Sequence, residues 1–136
     1  DTVMVHVEAT GLTRTVREDL KVLANEETHR GFLCYDLISG RITPDHLLFS
    51  WLLRNGAAPD ELSELRNNKV DLDVLGLNFY PQWSTKQIYL DKRGRIAFRE
   101  VEPEGDGFVD LIRHYHERYD VPVMITETSA VGTDEI

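Results

Sequence analysis

Apolar positions along the chain fall into two spacings, one typical of buried strands and one typical of helices. Three short runs are mainly apolar and rich in β-branched residues, as in parallel strands that are covered on both faces. They occupy residues 3–7, 71–81 and 121–125. Four segments repeat their apolar residues at helical intervals instead, and they occupy residues 15–38, 43–56, 59–68 and 108–119. This order predicts an α/β fold in which three parallel strands are joined by right-handed crossovers.

Local signals mark the ends of several of these elements. Thr15 and Glu18 have the spacing of a capping box, in which the two side chains satisfy free backbone donors at the start of a helix. Gly40 is placed to end that helix, and Pro44 occupies the first position of the next one. Asp106 is placed to cap the last helix.

A β-hairpin is predicted between the second strand and the last helix. Two short strands, 87–90 and 95–98, flank the four-residue loop Asp91-Lys-Arg-Gly94. Because both strands are short and amphipathic, we expect the hairpin to be an excursion above the sheet.

The composition narrows the possible partners and surroundings. The chain has 136 residues, of which 41% are hydrophobic, enough for a single domain (1–136) with its own core. The net charge of −9 argues against nucleic acid and anionic membrane as main partners, because both need a basic surface, and no apolar run is long enough to span a membrane. Cys34 is the single cysteine, and its apolar neighbours predict a buried, inert thiol. Because one cysteine cannot form an internal disulfide, the sequence favours a reducing, cytoplasmic location.

Polar side chains follow the strands at the edge where parallel α/β sheets carry their chemistry. Glu8, Asn78, Tyr80 and Glu127 all lie at or just after the carboxyl ends of predicted strands. A carboxylate that is hydrogen-bonded by a tyrosine hydroxyl and flanked by an amide is suited to act as a nucleophile. Position alone leaves open whether Glu127 is that nucleophile or begins a solvated loop. Trp83 is likewise either a platform for a sugar ring or an ordinary packing residue beneath the hairpin.

No metal or cofactor site is predicted. His114 and His116 are two residues apart on a helix and therefore face different directions. His6 lies within a strand, where a packed and satisfied histidine is the commoner interpretation, and His29 and His46 lie on predicted helices away from the strand ends. No glycine-rich nucleotide motif, Walker loop or zinc motif occurs. We therefore expect no metal ion and no cofactor.

Two segments carry a resemblance to a known family. Asp73-Val-Leu-Gly-Leu-Asn78-Phe-Tyr80, followed later by Val123-Met-Ile-Thr-Glu127, resembles the family 1 glycoside hydrolases, which are β-glucosidase-like enzymes. The resemblance implies a (β/α)8 TIM barrel, a retaining mechanism and a carbohydrate substrate, with the three strands as the fifth, sixth and seventh of the barrel. It also implies that Glu127 is the nucleophile, that Tyr80 hydrogen-bonds it and that Asn78 is the active-site asparagine.

The sequence also departs from that family. Thr128-Ser129 replaces the usual Asn-Gly, and neither the Asn-Glu-Pro motif of the acid/base strand nor the tryptophan-bearing eighth strand occurs. A complete barrel takes about 250 residues, so we expect a fragment, cut at Asp1 and Ile136, that is inactive alone. Its open sheet edges are expected to pair with a second copy. Glu8 is the other strand-end carboxylate, and the hypothesis is that it shapes the sugar site near Glu127.

A free-standing binding module is the competing interpretation. Flavodoxin-like α/β domains bind small ligands in the same strand-end crevice without catalysis. That interpretation accounts for the length of the chain. It does not account for the order and context in which the asparagine, tyrosine and glutamate occur.

Overall fold

The structure, a computed structural model, describes residues 2–101 and 107–129. Its strands are β1 (Val5–Ala9), β2 (Leu12–Arg14), β3 (Val74–Phe79), β4 (Thr85–Leu90), β5 (Ile96–Glu100) and β6 (Val123–Thr128). Its helices are α1 (Lys21–Ile38), α2 (Phe49–Arg54), α3 (Pro59–Asn67) and α4 (Gly107–Tyr119), and a 3-10 turn at Glu18–Leu20 leads into α1. The predicted α/β order of strand, helices, strand, hairpin, helix and strand is confirmed.

The main sheet contains three parallel strands in the order β1-β3-β6. Strands that follow each other across a helical connection are therefore direct neighbours. In the register Val7 lies opposite Gly76, and Gly76 lies opposite Met124. This sequential parallel order is the one found in a barrel wall, whereas a flavodoxin-like sheet places its first strand between the second and third.

Helices α1 and α4 cover one face of this sheet. The core is built from buried side chains of β3 and the two helices, with one from β2: Leu75, Leu77, Phe79, Phe32, Tyr35, Leu111, Tyr115, Tyr119 and Leu12. The Tyr115 hydroxyl connects the layers, because it accepts the Gly11 N–H at 3.2 Å and donates to the Gly31 carbonyl at 3.0 Å. A Cβ on Gly31 would lie only 2.9 Å from the Gly11 carbonyl oxygen, so this close approach of α1 requires glycine.

The opposite face of the main sheet is exposed, and the prediction that the strands are buried on both faces is wrong. Val7 on β1 is 43% exposed and Met124 on β6 is 48% exposed. The described residues provide helices for one face only, and β1 and β6 are both edge strands. Their apolar side chains on this face therefore remain in contact with solvent. In the described part of the chain, no helix has the length and apolar character to cross a membrane.

The predicted hairpin forms, but it belongs to a second sheet with the order β2-β4-β5. β4 and β5 are antiparallel, and β2 runs parallel to β4. Asp91 fixes the hairpin loop, because its carboxylate accepts the N–H groups of Arg93 at 2.7 Å and Arg95 at 2.9 Å. The chain thus extends beyond the carboxyl end of β1 and builds a small sheet there.

Two predicted helix starts are wrong. The Thr15 hydroxyl donates to the Ile88 carbonyl at 3.1 Å, which ties it to β4 and leaves no capping box with Glu18. The second helix begins at Phe49 instead of Pro44, and the intervening residues form turns. The His46 side chain accepts the Leu48 N–H at 3.1 Å, and such local side-chain bonds compete with helical ones. The predicted cap at Asp106 lies outside the described residues.

Cys34 is exposed, which corrects the prediction of a buried thiol. The buried positions of α1 include Thr28, Phe32 and Tyr35, whereas Cys34 lies off that face, near Glu8 of β1. Partial desolvation, with a smaller contribution from the nearby Glu8 carboxylate, raises the pKa of the thiol. The thiolate is therefore disfavoured although the residue is accessible.

A buried carboxylate connects α1, α4 and the segment before α2. Asp36 is completely buried, and its Oδ1 accepts Arg118 Nε at 3.0 Å and the Tyr119 hydroxyl at 2.8 Å. Its Oδ2 accepts Arg118 Nη2 at 2.6 Å and His46 Nε2 at 3.1 Å. The guanidinium also lies 4.8 Å from the ring centroid of Phe32. All the polar partners are on different elements from Asp36, so this group fixes how the helices pack together.

The stability of the protein is expected to fall as the pH is lowered below about 6.5, the usual pKa of histidine. Burial lowers the pKa of His46, which outweighs the opposing effect of Asp36. Because the unfolded chain binds this proton more readily, the free energy of unfolding is at its full value above pH 6.5 and decreases as the pH falls through the lower folded-state pKa. Unfolding by urea at pH 7.5 and 5.5 measures the effect. His46→Gln should reduce the pH dependence, and an identical dependence in both proteins would contradict this assignment.

Candidate functional site

A β-bulge determines which face of the sheet carries Glu127. Leu77 pairs with Ile125, but the register then shifts and Asn78 pairs with Glu127. In an unbroken ladder Glu127 would lie opposite Phe79, whose ring packs on Phe108 of α4. The extra residue places Glu127 beside Asn78, on the face that the helices leave open.

Tyr80 lies against the carboxylate of Glu127. The hydrogen bond between the two side chains, together with desolvation and the carboxylate charge, raises the pKa of the Tyr80 hydroxyl. The physical cause is that ionised tyrosine would lose a donor and place a second negative charge beside Glu127. The Tyr80 hydroxyl therefore stays neutral beside the carboxylate and is able to donate to it.

The turn that carries Tyr80 is fixed by hydrogen bonds at both ends. The Tyr80 N–H donates to the Ser84 hydroxyl at 2.9 Å, and the Trp83 and Ser84 N–H groups donate to the Tyr80 carbonyl at 2.9 and 2.8 Å. Just before the turn, the Thr10 hydroxyl donates to the Asn78 carbonyl at 2.7 Å. Since Ser84 is almost fully buried, these bonds are shielded from water and the turn is well defined.

Trp83 extends the site away from the sheet. Its side chain is 54% exposed, and its ring centroid lies 5.5 Å from that of Tyr80. It borders a cavity of about 560 Å³ between α1 and the hairpin, together with the exposed ring of Phe98 and the charged residues Glu27, Arg30, Lys86 and Glu100. Two exposed aromatic faces among polar groups are suited to a ligand with apolar and hydroxyl surfaces. The exposure of Trp83 argues against ordinary packing beneath the hairpin.

Glu8 does not join this group. The register places it opposite Leu77, on the face covered by helices, and its Oε1 lies 3.6 Å from His6 Nε2. It also contacts Cys34 of α1. The sequence identified Glu8 correctly as a strand-end carboxylate, but the alternation of side chains along β1 directs it away from Glu127.

The histidines lie outside the site. His6 packs edge-to-face on Tyr35, and its Nε2 has no hydrogen-bond partner among the described residues, so the prediction of a satisfied histidine is wrong. His29 and His114 border a separate cavity of about 840 Å³ between α1 and α4. Within residues 2–101 and 107–129, no three His, Cys, Asp or Glu side chains are placed to hold a metal ion.

The sequence did not reveal two features of this site. The bulge at Thr126 cannot be predicted from the sequence of β6, which is only an apolar run that ends in a carboxylate. It becomes visible in the pairing register of β3 and β6. Phe98 was predicted as a hairpin residue, and the structure shows that it lines the same cavity as Trp83. The alternation of side chains along β5 indicates that Phe98 lies on one face of the hairpin. It does not indicate which face of the hairpin meets a ligand.

Comparisons with solved structures found proteins of similar fold. A family 1 β-glucosidase from Thermotoga maritima matches with a TM-score of 0.71 and 20% identity over 99% of this chain and 34% of its own. Its structure with isofagomine lactam gives a TM-score of 0.70 and 19% identity over 99% and 34%, and that with castanospermine gives 0.68 and 20% over 96% and 32%. Neither the protein-family models nor the curated proteins gave a match. The chain has the fold of part of such an enzyme and spans about a third of its length.

Proposed function

We propose that this chain is part of a retaining glycoside hydrolase, similar to β-glucosidases, and that Glu127 is its nucleophile. The observation that carries the proposal is the bulge in β6, which presents Glu127 next to Asn78 and in contact with Tyr80. The three residues that the sequence assigns to the active site are thereby brought to one face at the carboxyl edge of the sheet. In the proposed barrel β1, β3 and β6 are the fifth, sixth and seventh strands, and this face lines the interior.

The chemistry follows from the positions of these side chains. The Glu127 carboxylate attacks the anomeric carbon of a bound sugar and forms a glycosyl ester as the glycosidic bond breaks, and the leaving oxygen takes a proton from a second carboxyl group. Water, deprotonated by that same group, then hydrolyses the ester. The Tyr80 hydroxyl orients the attacking oxygen and keeps its own proton at neutral pH, since the ordinary tyrosine pKa of about 10 is raised further here. Asn78 presents an amide to the sugar hydroxyls, and Trp83 offers an aromatic face to the leaving group.

The second carboxyl group that a retaining glycosidase needs is not among these residues. The two groups must lie about 5–5.5 Å apart, and Glu8 points to the other face of the sheet. We therefore propose that another part of the protein provides the acid/base and that the 136 residues alone are inactive. We further propose that the isolated segment pairs its open edges with a second copy, which sedimentation of a monodisperse monomer would disprove.

The proposed nucleophile can be tested by covalent trapping in the longest protein that contains this chain. A panel of 2-deoxy-2-fluoro glycosyl fluorides is suitable, because the fluorine at C2 slows hydrolysis of the ester and fluoride leaves without protonation. The reagent therefore reports on the nucleophile even if the acid/base is impaired. Intact and peptide mass spectra should place one sugar on Glu127 and none on the Glu127→Gln variant.

Two results would reject the proposal. One is a sugar on a different carboxylate while Glu127 remains unmodified. The other is the absence of any adduct from the whole panel in protein that circular dichroism shows to be folded. In the second case a small-ligand-binding module without catalysis becomes the better interpretation, and calorimetric titration with the corresponding sugars would distinguish it from a protein that binds none.

A further inference from the structure

Thr126 is the residue that the bulge inserts into β6. It has no partner in the ladder between β3 and β6, because Ile125 pairs with Leu77 and Glu127 pairs with Asn78. Its hydroxyl nevertheless has a definite partner, since Oγ1 donates to the Asn78 Oδ1 at 2.9 Å. A residue that the backbone leaves unpaired thus bonds to a side chain of the candidate site.

The neighbouring glycine fixes the orientation of Thr126. A Cβ on Gly76 would lie 2.8 Å from the Thr126 Cγ2 and 2.6 Å from the Val7 Cγ2, so these two methyl groups already occupy the space that a side chain would need. Threonine is stiff about its first side-chain torsion. With the methyl group placed over Gly76, the hydroxyl is directed along the same face toward Asn78.

The bond to Thr126 and the Glu127 carboxylate opposite Asn78 together decide which end of the Asn78 amide faces the open surface. With Oδ1 turned to the hydroxyl, the two N–H donors of Nδ2 point away from it. The opposite orientation would present an amide oxygen next to the Glu127 carboxylate, where two acceptors repel each other. A fixed donor on this face is complementary to the hydroxyl oxygens of a sugar and to the carboxylate itself.

We propose that Thr126 is a positioning residue that holds the Asn78 amide with its N–H groups toward the bound substrate. The inference rests on the proposed function for its kinetic consequence but not for its structural one. Thr126 does not touch the reacting atoms in this assignment. It acts through Asn78, and the bulge that presents Glu127 also provides the residue that orients the amide.

Two substitutions separate the hydroxyl from the methyl group. Thr126→Val keeps the shape and the contact with Gly76 but removes the donor, and it should lower kcat/KM of the full-length protein about tenfold. Thr126→Ser keeps the donor and should stay within about twofold of the unmodified protein. In an Asn78→Ala background, Thr126→Val should have no further effect, because the two residues act as one unit. Equal activities of all Thr126 variants, or a full additional loss in the Asn78→Ala background, would overturn the proposal.

A measurement that needs no activity distinguishes failure of this inference from failure of the proposed function. The side-chain amide resonances of Asn78 in 15N-labelled protein should form a single set in the unmodified protein and in Thr126→Ser. In Thr126→Val they should shift and exchange faster with solvent, because the amide is free to turn. Unchanged resonances in Thr126→Val would reject the positioning role even in a protein that forms the Glu127 adduct.

Discussion

Glu127→Gln is expected to lower kcat/KM of the full-length protein toward an activated aryl glycoside by roughly 10,000-fold, the scale on which loss of an enzymatic nucleophile acts. The amide keeps the shape of the carboxylate and one acceptor oxygen, but it cannot form the glycosyl ester. Substrate binding should change far less than turnover, so the loss should appear mainly in kcat. Steady-state kinetics measure both parameters.

Two companion variants make this result specific. Tyr80→Phe removes one hydrogen bond to a charged group, and such bonds contribute about 1.5–3 kcal/mol, so kcat/KM should fall by roughly 10- to 150-fold. Glu64→Gln on α3 makes the same chemical change on an exposed helix and should leave activity unchanged. A Glu127→Gln protein as active as the Glu64→Gln control would exclude Glu127 as the nucleophile.

Asp36→Ala is expected to cause the largest loss of stability, about 3–5 kcal/mol. The substitution leaves the Arg118 guanidinium without its bidentate partner and removes the acceptor for the Tyr119 hydroxyl and for His46 Nε2. Removing one partner of a buried ion pair lowers the stability by more than the intact pair contributes, because the remaining charge stays desolvated. Thermal unfolding followed by circular dichroism should show a midpoint lower by roughly 10–20 °C.

Asp110→Ala provides the matched control for that prediction. Asp110 also accepts from two arginines, Arg14 at 2.6 Å and Arg113 at 2.9 Å, but this network is largely open to solvent. Exposed pairs of this kind contribute about 0–1 kcal/mol. If Asp36→Ala shifts the midpoint no more than Asp110→Ala, burial does not make the Asp36 network important for stability.

Periodicity predicted the parts of the fold that depend on local sequence. The apolar runs located β1, β3 and β6, the helical spacing located α1, α3 and α4, and the loop at Asp91 located the hairpin. The start of α2 was missed because the His46 side chain replaces helical bonds with its own contacts. No pattern within the segment indicates that its histidine will meet an aspartate on another helix.

Long-range pairing accounts for what the sequence could not predict. β2 has only three residues and owes its strand conformation to β4, which comes more than 70 residues later. The exposure of Cys34 depends on which elements flank α1, and its apolar neighbours give no information on that point. Glu127, Asn78 and Tyr80 were predicted as site residues from their residue types and order, whereas the face that Glu127 occupies depends on a register shift.

The bulge gives β6 one residue more than β3 over the same stretch, so the face that Glu127 occupies depends on how the two strands are matched. Removing Thr126 would restore an unbroken ladder that still pairs Glu127 with Asn78 on the open face. Closing the bulge with every residue kept would instead pair Glu127 with Phe79, on the face beside α4. In an alignment, a one-residue gap just before the glutamate would therefore be compatible with the site, and it would mark the loss of the hydroxyl that contacts Asn78.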